Sequence, residues 1–310
     1  MNGVMPEFAF RHFPMNKIRV LWTLLVILAA FPVWVHAQPP GHFDFSSLSP
    51  IQKGEYLLSQ SRYEEAADLF RSLLKNDAEG GYAFRGLVRA YENLEKPGEA
   101  QIWIADFLEA NPGSTSALYG LGYLYYQKED MVKAEEYFKK AIASDSQNAL
   151  ALNNLGAVLA RQKSYTQAAD KVREAIRVNP LEPMYFHNLE AIYKQMGNPG
   201  LIIADYNNQL EQGAPEVARG YGKAVARSLR QEAFRLYEQG RYDDAIAKFL
   251  EIETVYAKIK HEPGLVPVYF SLGLLYEEKG DAQKAKKYFM RVLALSPMHL
   301  QARDRLNHLE

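Results

Sequence analysis

In residues 115–148, Leu118, Leu121, Gly122 and Tyr125 fall at i, i+3, i+4 and i+7, the signature of one buried helix face. The polar triplet Lys128-Glu129-Asp130 marks a turn, and Ala134, Phe138 and Ala141 form the facing stripe of a second helix. This helix-turn-helix pattern recurs along the chain. Leu87, Leu121, Leu155 and Leu189 are each 34 residues apart, as are Ala66, Ala100, Ala134 and Ala168, and as are Phe84, Leu118, Leu152 and Phe186. Three separate columns share one period, so the spacing predicts a tandem array of helical hairpins.

The residues at fixed places within the period have physical reasons. Gly122 and Ala134 are small where the two helices of a hairpin must press together. Pro112, Pro180 and Pro297 occupy the same place near the end of three units, where proline stops the second helix and sets the turn into the next. Seven units are predicted, covering about residues 47–299. The period breaks twice. Ile202 to Ala245 is 43 residues, which predicts an insertion at 217–225 that either lengthens a helix or makes a hinge. Ala245 to Ala285 is 40 residues, with the extra length around the turn-like His261-Glu262-Pro263-Gly264. Ile202 also replaces the small alanine of the fifth unit, which predicts a splayed hairpin there. The predicted organisation is a linker at 38–46, five units over 47–216, the insertion 217–225, two units over 226–299 and a capping helix at 300–310.

The pattern resembles the tetratricopeptide repeat (TPR): a bulky residue, Leu-Gly, Tyr, then Ala, an aromatic residue and Pro. The fullest match is Tyr269, Leu272, Gly273, Tyr276, Ala285, Phe289, Val292 and Pro297. The resemblance implies an all-α, right-handed α-solenoid of about seven TPR hairpins with a C-terminal capping helix. It also implies that the first helices line a concave surface that binds a protein or peptide partner.

The N-terminus reads differently. Lys17 and Arg19 precede an apolar run from Val20 to Val35 that is short for a membrane span and contains Pro32. Val35-His36-Ala37 before Gln38 matches a small-x-small cleavage pattern, so residues 1–37 are expected to be a signal peptide, with Met15 an alternative start. The alternative is a membrane anchor at 20–35. Export to a bacterial periplasm is the expectation, and residues 1–37 leave with a net charge of +2. The whole chain has formal net charge -1 and no cysteine. That balance gives no reason to expect a nucleic-acid partner, and absent cysteines exclude disulfides, thiolate metal sites and a cysteine nucleophile.

Carrying the family's concave positions onto this chain selects Tyr82, Arg85 and Arg89 in the second unit, Tyr119, Tyr123 and Tyr126 in the third, Asn154 and Asn188 in the fourth and fifth, and Arg230, Phe234 and Tyr237 in the sixth. Tyrosines offer amphipathic area at low ordering cost, arginines can hold a carboxylate, and asparagine amides can bond an extended backbone. Gly86 and Gly120, at one place in adjacent units, suggest room for a ligand backbone. The competing expectation is that these tyrosines pack across a tightly wound superhelix. No phosphate loop, nucleophile elbow or paired-histidine metal motif occurs, so neither an enzyme, a cofactor nor a metal is expected. The expected function is a protein–protein adaptor in assembly of an envelope complex, the alternative a glycan-binding module that stacks sugars on the same tyrosines.

Overall fold

The computed structural model describes residues 45–75 and 80–309. The predicted leader and all but the end of the predicted linker lie outside the described residues. Among those described, every regular element is a helix, and the chain is an all-α solenoid of hairpins.

The first compact unit ends at Val225. After a short 3-10 turn, α1 (Pro50–Ser59) pairs with α2 (Tyr63–Leu74), α3 (Gly80–Asn93) with α4 (Pro97–Ala110), and α5 (Thr115–Gln127) with α6 (Met131–Ser144). Next, α7 (Ala149–Arg161) pairs with α8 (Tyr165–Val178), and α9 (Pro183–Gln195) with α10 (Leu201–Glu211). Helix α11 (Pro215–Glu238) contains the boundary. The second compact unit, from Ala226, continues through α12 (Tyr242–Lys258), α13 (Glu262–Glu278), α14 (Ala282–Leu295) and the short terminal helix α15 (Leu300–His308).

Several hairpins close by fitting a ring or branched side chain against a glycine. A Cβ on Gly122 would stand 2.6 Å from the Phe138 ring, and one on Gly273 would stand 2.5 Å from Phe289. The fifth hairpin lacks this fit. Glu190 stands where the third and fourth units have Gly122 and Gly156, Ile202 stands where the first four have alanine, and α9 meets α10 far more sparsely than α5 meets α6. Polar contacts replace the missing packing: Tyr193 donates to Asp205, and Arg173 bonds Asp205 at 3.2 Å while lying over the Tyr193 ring.

The turns repeat as faithfully as the helices. Ser61, Glu95, Glu129, Lys163, Gly197, Gly240 and Gly280 all have φ between 58° and 80°. At the third hairpin, Asp130 N donates to Tyr125 O at 3.0 Å and Glu129 N to Tyr126 O at 3.1 Å, the paired bonds of a left-handed helix stop. The last residue of several units then caps the next helix: Ser114 accepts from Ala117 N, Asn148 from Ala151 N, and His299 from Ala302 N.

The residues at 217–225 form no separate linker, because they lie inside the 24-residue α11. That helix carries two registers. Gly220 stands 34 residues after Phe186 and packs on its ring, so the first half continues the period. Ala233 stands 12 residues before Ala245, the same step as Gly122 to Ala134, so the second half starts it again. The second departure is absorbed by lengthening α12 and α13 to 17 residues each. The turn there is Ile259–His261, and Pro263 lies in the first turn of α13 rather than in the loop that the sequence suggested.

Candidate functional site on the concave face

The first helices of the unit ending at Val225 bring their opening turns together across the concave side. Tyr82 on α3 donates to Glu182 Oε2, at the start of α9, at 3.0 Å. One turn on, Arg85 Nη1 meets the Met184 thioether at 3.2 Å. A Cβ on Gly81 would stand 2.7 Å from Leu150 of α7. Burial and the Glu182 carboxylate push the Tyr82 hydroxyl up to about 12.

A polar ladder runs beneath this closure. Asn188 Nδ2 donates to Asn153 Oδ1 at 2.9 Å, Asn153 Nδ2 to Asn154 Oδ1 at 3.4 Å, and Asn154 Nδ2 to Tyr119 Oη at 2.8 Å. The two asparagines singled out in the sequence are thus already engaged with the chain's own side chains. Tyr119 is fully buried, at 0% exposure, and burial holds its hydroxyl well above the usual phenol range. Its ring stacks on Tyr123 with centroids 6.3 Å apart.

Tyr123 and Tyr126 are half-buried further along α5. Arg89 reaches back to Glu55 of α1 with Nη1 2.7 Å from both carboxylate oxygens. Glu92 accepts from Gln127 at 2.9 Å. The concave side is therefore bridged at the opening turns of the first helices, while Tyr126 on α5 and Lys194 on α9 keep exposed surface nearer their closing turns.

Gly86 and Gly120 do not make room for a ligand backbone. A Cβ on Gly86 would stand 2.3 Å from the Phe70 ring and one on Gly120 would stand 2.9 Å from Phe84, so the chain's own aromatics occupy both spaces. In the second compact unit, Arg230 Nη2 donates to Tyr256 Oη at 3.3 Å. Phe234 is buried edge-on to Phe249 at 5.9 Å, and Tyr237 is buried against Tyr242 at 5.6 Å. Both rings serve hairpin packing.

Sequence reasoning overlooked Glu55, Glu182, Met184 and Tyr185. Glu55 was accessible to it, standing 34 residues before Arg89 at the same place in the repeat. The other three meet α3 only through superhelical winding, which leaves no trace in the 34-residue spacing. Among the described residues, no cluster of three or more metal-ligating side chains occurs.

The profile described as tetratricopeptide repeat matches residues 51–115, 89–149 and 133–183, and a second profile of that description matches 224–297. The chain belongs to the tetratricopeptide-repeat family. Its relatives include the "Type IV pilus assembly protein PilF" of Pseudomonas aeruginosa, 32% identical over 148 residues, which is 46% of this chain and 58% of that one. The "DnaJ homolog subfamily C member 3" of Gallus gallus is 24% identical over 268 residues, 84% of this TPR chain and 48% of the relative. The TPR chain thus spans about half the length of these curated relatives. The solved structure of Pseudomonas aeruginosa PilF covers 73% of the chain and 96% of itself at 24% identity, with TM-score 0.39. No helix among the described residues of this TPR protein is long and apolar enough to cross a membrane.

Proposed function

We propose that this TPR protein is a non-enzymatic adaptor that holds a segment of a partner protein on the concave side of the unit ending at Val225. The observation that carries the reading is the half-buried pair Tyr123 and Tyr126 on α5, with Arg85 and Arg89 near Tyr123 and Gln127 held by Glu92. Aromatic rings flanked by fixed polar groups are the common composition of a protein-binding patch. Tyr119 belongs to the support of that patch, since its ring backs Tyr123 and its hydroxyl anchors Asn154. The glycan reading finds less support, because one of its three stacking platforms is enclosed.

We also propose that the adaptor is exported and acts in assembling an envelope complex. The basic, apolar and small-x-small order of residues 17–37 supports export. Similarity to a protein named for type IV pilus assembly supports the process.

The test is recovery of partners from envelope extracts of host cells that express the tagged full chain, wild type beside Tyr123→Ala/Tyr126→Ala. A protein recovered only with wild type supports the adaptor. Identical recoveries, with both proteins folded by circular dichroism, remove the concave patch from the function. Fractionation of the same cells tests export directly.

A further inference from the structure

The second helices of the hairpins differ in the sign of the charge they display. Helix α4 carries Glu99, Asp106 and Glu109 and no basic residue, whereas α14 carries Lys284, Lys286, Lys287 and Arg291 and no acidic one. Helices α2, α6, α8 and α12 carry both signs, and Asp205 of α10 is engaged by Arg173 and Tyr193. In α4 the stripe that faces away from the hairpin is Gly98, Ile102, Ala105 and Glu109, all exposed. The same places in α14, set by Ala100 and Ala285, are Gln283, Lys287, Met290 and Ala294, again all exposed. One exposed apolar side chain means little by itself. Here Ile102, 63% exposed, stands inside an acidic face, and Met290, 60% exposed, inside a basic one. Lys284 is tied to Asp281 and Arg291 to Glu253, but among the described residues no carboxylate pairs with Lys286 or Lys287, and no cation pairs with Asp106 or Glu109.

We infer that the α4 face of one copy of this chain docks on the α14 face of a second copy. The two faces complement each other in charge, and each has an apolar side chain at its middle and a small residue one turn away. Antiparallel packing fits best. It sets Ile102 on Met290 and Gly98 against Ala294, where the backbones can approach closely, and carries Asp106 and Glu109 toward the lysines in the first two turns of α14. Parallel packing would instead lay Ile102 on Lys287 and Glu109 on Ala294. The contact joins two different faces, so each added copy offers a fresh α4 and a fresh α14, and association runs head to tail or closes into a ring. One helix face on another is small for a specific interface, so the association is weak and depends on its charges.

Sedimentation velocity of the full chain tests this. At about 50 mM salt the weight-average mass is expected to rise with protein concentration over roughly 1–200 µM, with Kd on the order of 10–100 µM. At about 500 mM salt it is expected to fall back toward the monomer. Asp106→Lys/Glu109→Lys and Lys286→Glu/Lys287→Glu are each expected to weaken association about tenfold or more. An equimolar mixture of these two variants is expected to restore it, because the reversed α4 of one then meets the reversed α14 of the other. Misfolded variants cannot give that outcome. A chain that stays monomeric over the whole range, association that neither reversal weakens, or a mixture that stays dissociated overturns the docking of α4 on α14. The adaptor reading stands or falls separately, on Tyr123 and Tyr126.

Discussion

The hydroxyl of Tyr82 donates to the carboxylate of Glu182 at 3.0 Å, although 100 residues separate them in the chain. This bond joins the second hairpin to the start of the fifth and closes the concave side at one end. Tyr82→Phe is expected to cost about 1.5–3 kcal/mol, the range for a hydrogen bond to a charged group, and Glu182→Gln, which keeps an acceptor but loses its charge, less. The double variant is expected to cost scarcely more than Tyr82→Phe alone, since both changes act on one bond. Urea unfolding of the four proteins measures the coupling.

The same contact predicts a pH dependence. Burial raises the Tyr82 hydroxyl to about 12, from 10.0 for free tyrosine. A group whose pKa is raised in the fold contributes stability fully below its unfolded value and loses it as pH rises through the folded one. The Tyr82 contribution is therefore expected to be intact below pH 10 and lost by about pH 12. A difference titration of phenolate absorbance, wild type minus Tyr82→Phe, should show one tyrosine ionising near 12. A difference centred at 10 would mean the ring is solvated.

Gly122→Ala sets helix propensity against packing. In an open helix, alanine would gain about 1 kcal/mol over glycine. Here the new Cβ would stand 2.6 Å from the Phe138 ring, so a net loss of about 1–3 kcal/mol is expected. The sign of the shift in melting temperature decides between them.

The turns offer the opposite case. Glu129 holds φ at 59°, a conformation that costs a side-chain-bearing residue about 1–2 kcal/mol, while Gly240 and Gly280 meet the same need at the same place in their units. Glu129→Gly is expected to stabilise by about 0.5–1 kcal/mol, and Gly280→Ala to destabilise by about 1 kcal/mol. Chemical denaturation of the pair checks both directions.

His299 caps α15 by accepting from Ala302 N at 3.2 Å, and its ring lies 4.9 Å from that of Phe270. Burial lowers its pKa below the usual 6.5, so the neutral ring is the folded form. Its contribution is present above pH 6.5 and falls away as pH drops through the lowered folded value. His299→Asn keeps a capping acceptor and cannot titrate. The loss of thermal stability on going from pH 8 to pH 5 should be smaller in that variant, and equal losses would show that the cap does not depend on the imidazole.

The sequence by itself determined the hairpins. Leu87, Leu121, Leu155 and Leu189 repeat because each hairpin must bury the same stripe against its neighbours. Gly122, Ala134 and Phe138 make one fit legible wherever their spacing recurs. It also marked which unit departs, through Ile202, and where length was added. The tertiary structure decided the concave face. Whether Tyr119 and Asn154 face an empty groove or each other depends on how far each hairpin rotates against the last. That angle accumulates over several units and is written at no single position. Gly86 and Gly120 show the same limit: a missing side chain announces a close approach, and only the folded chain reveals that Phe70 and Phe84 are what approaches.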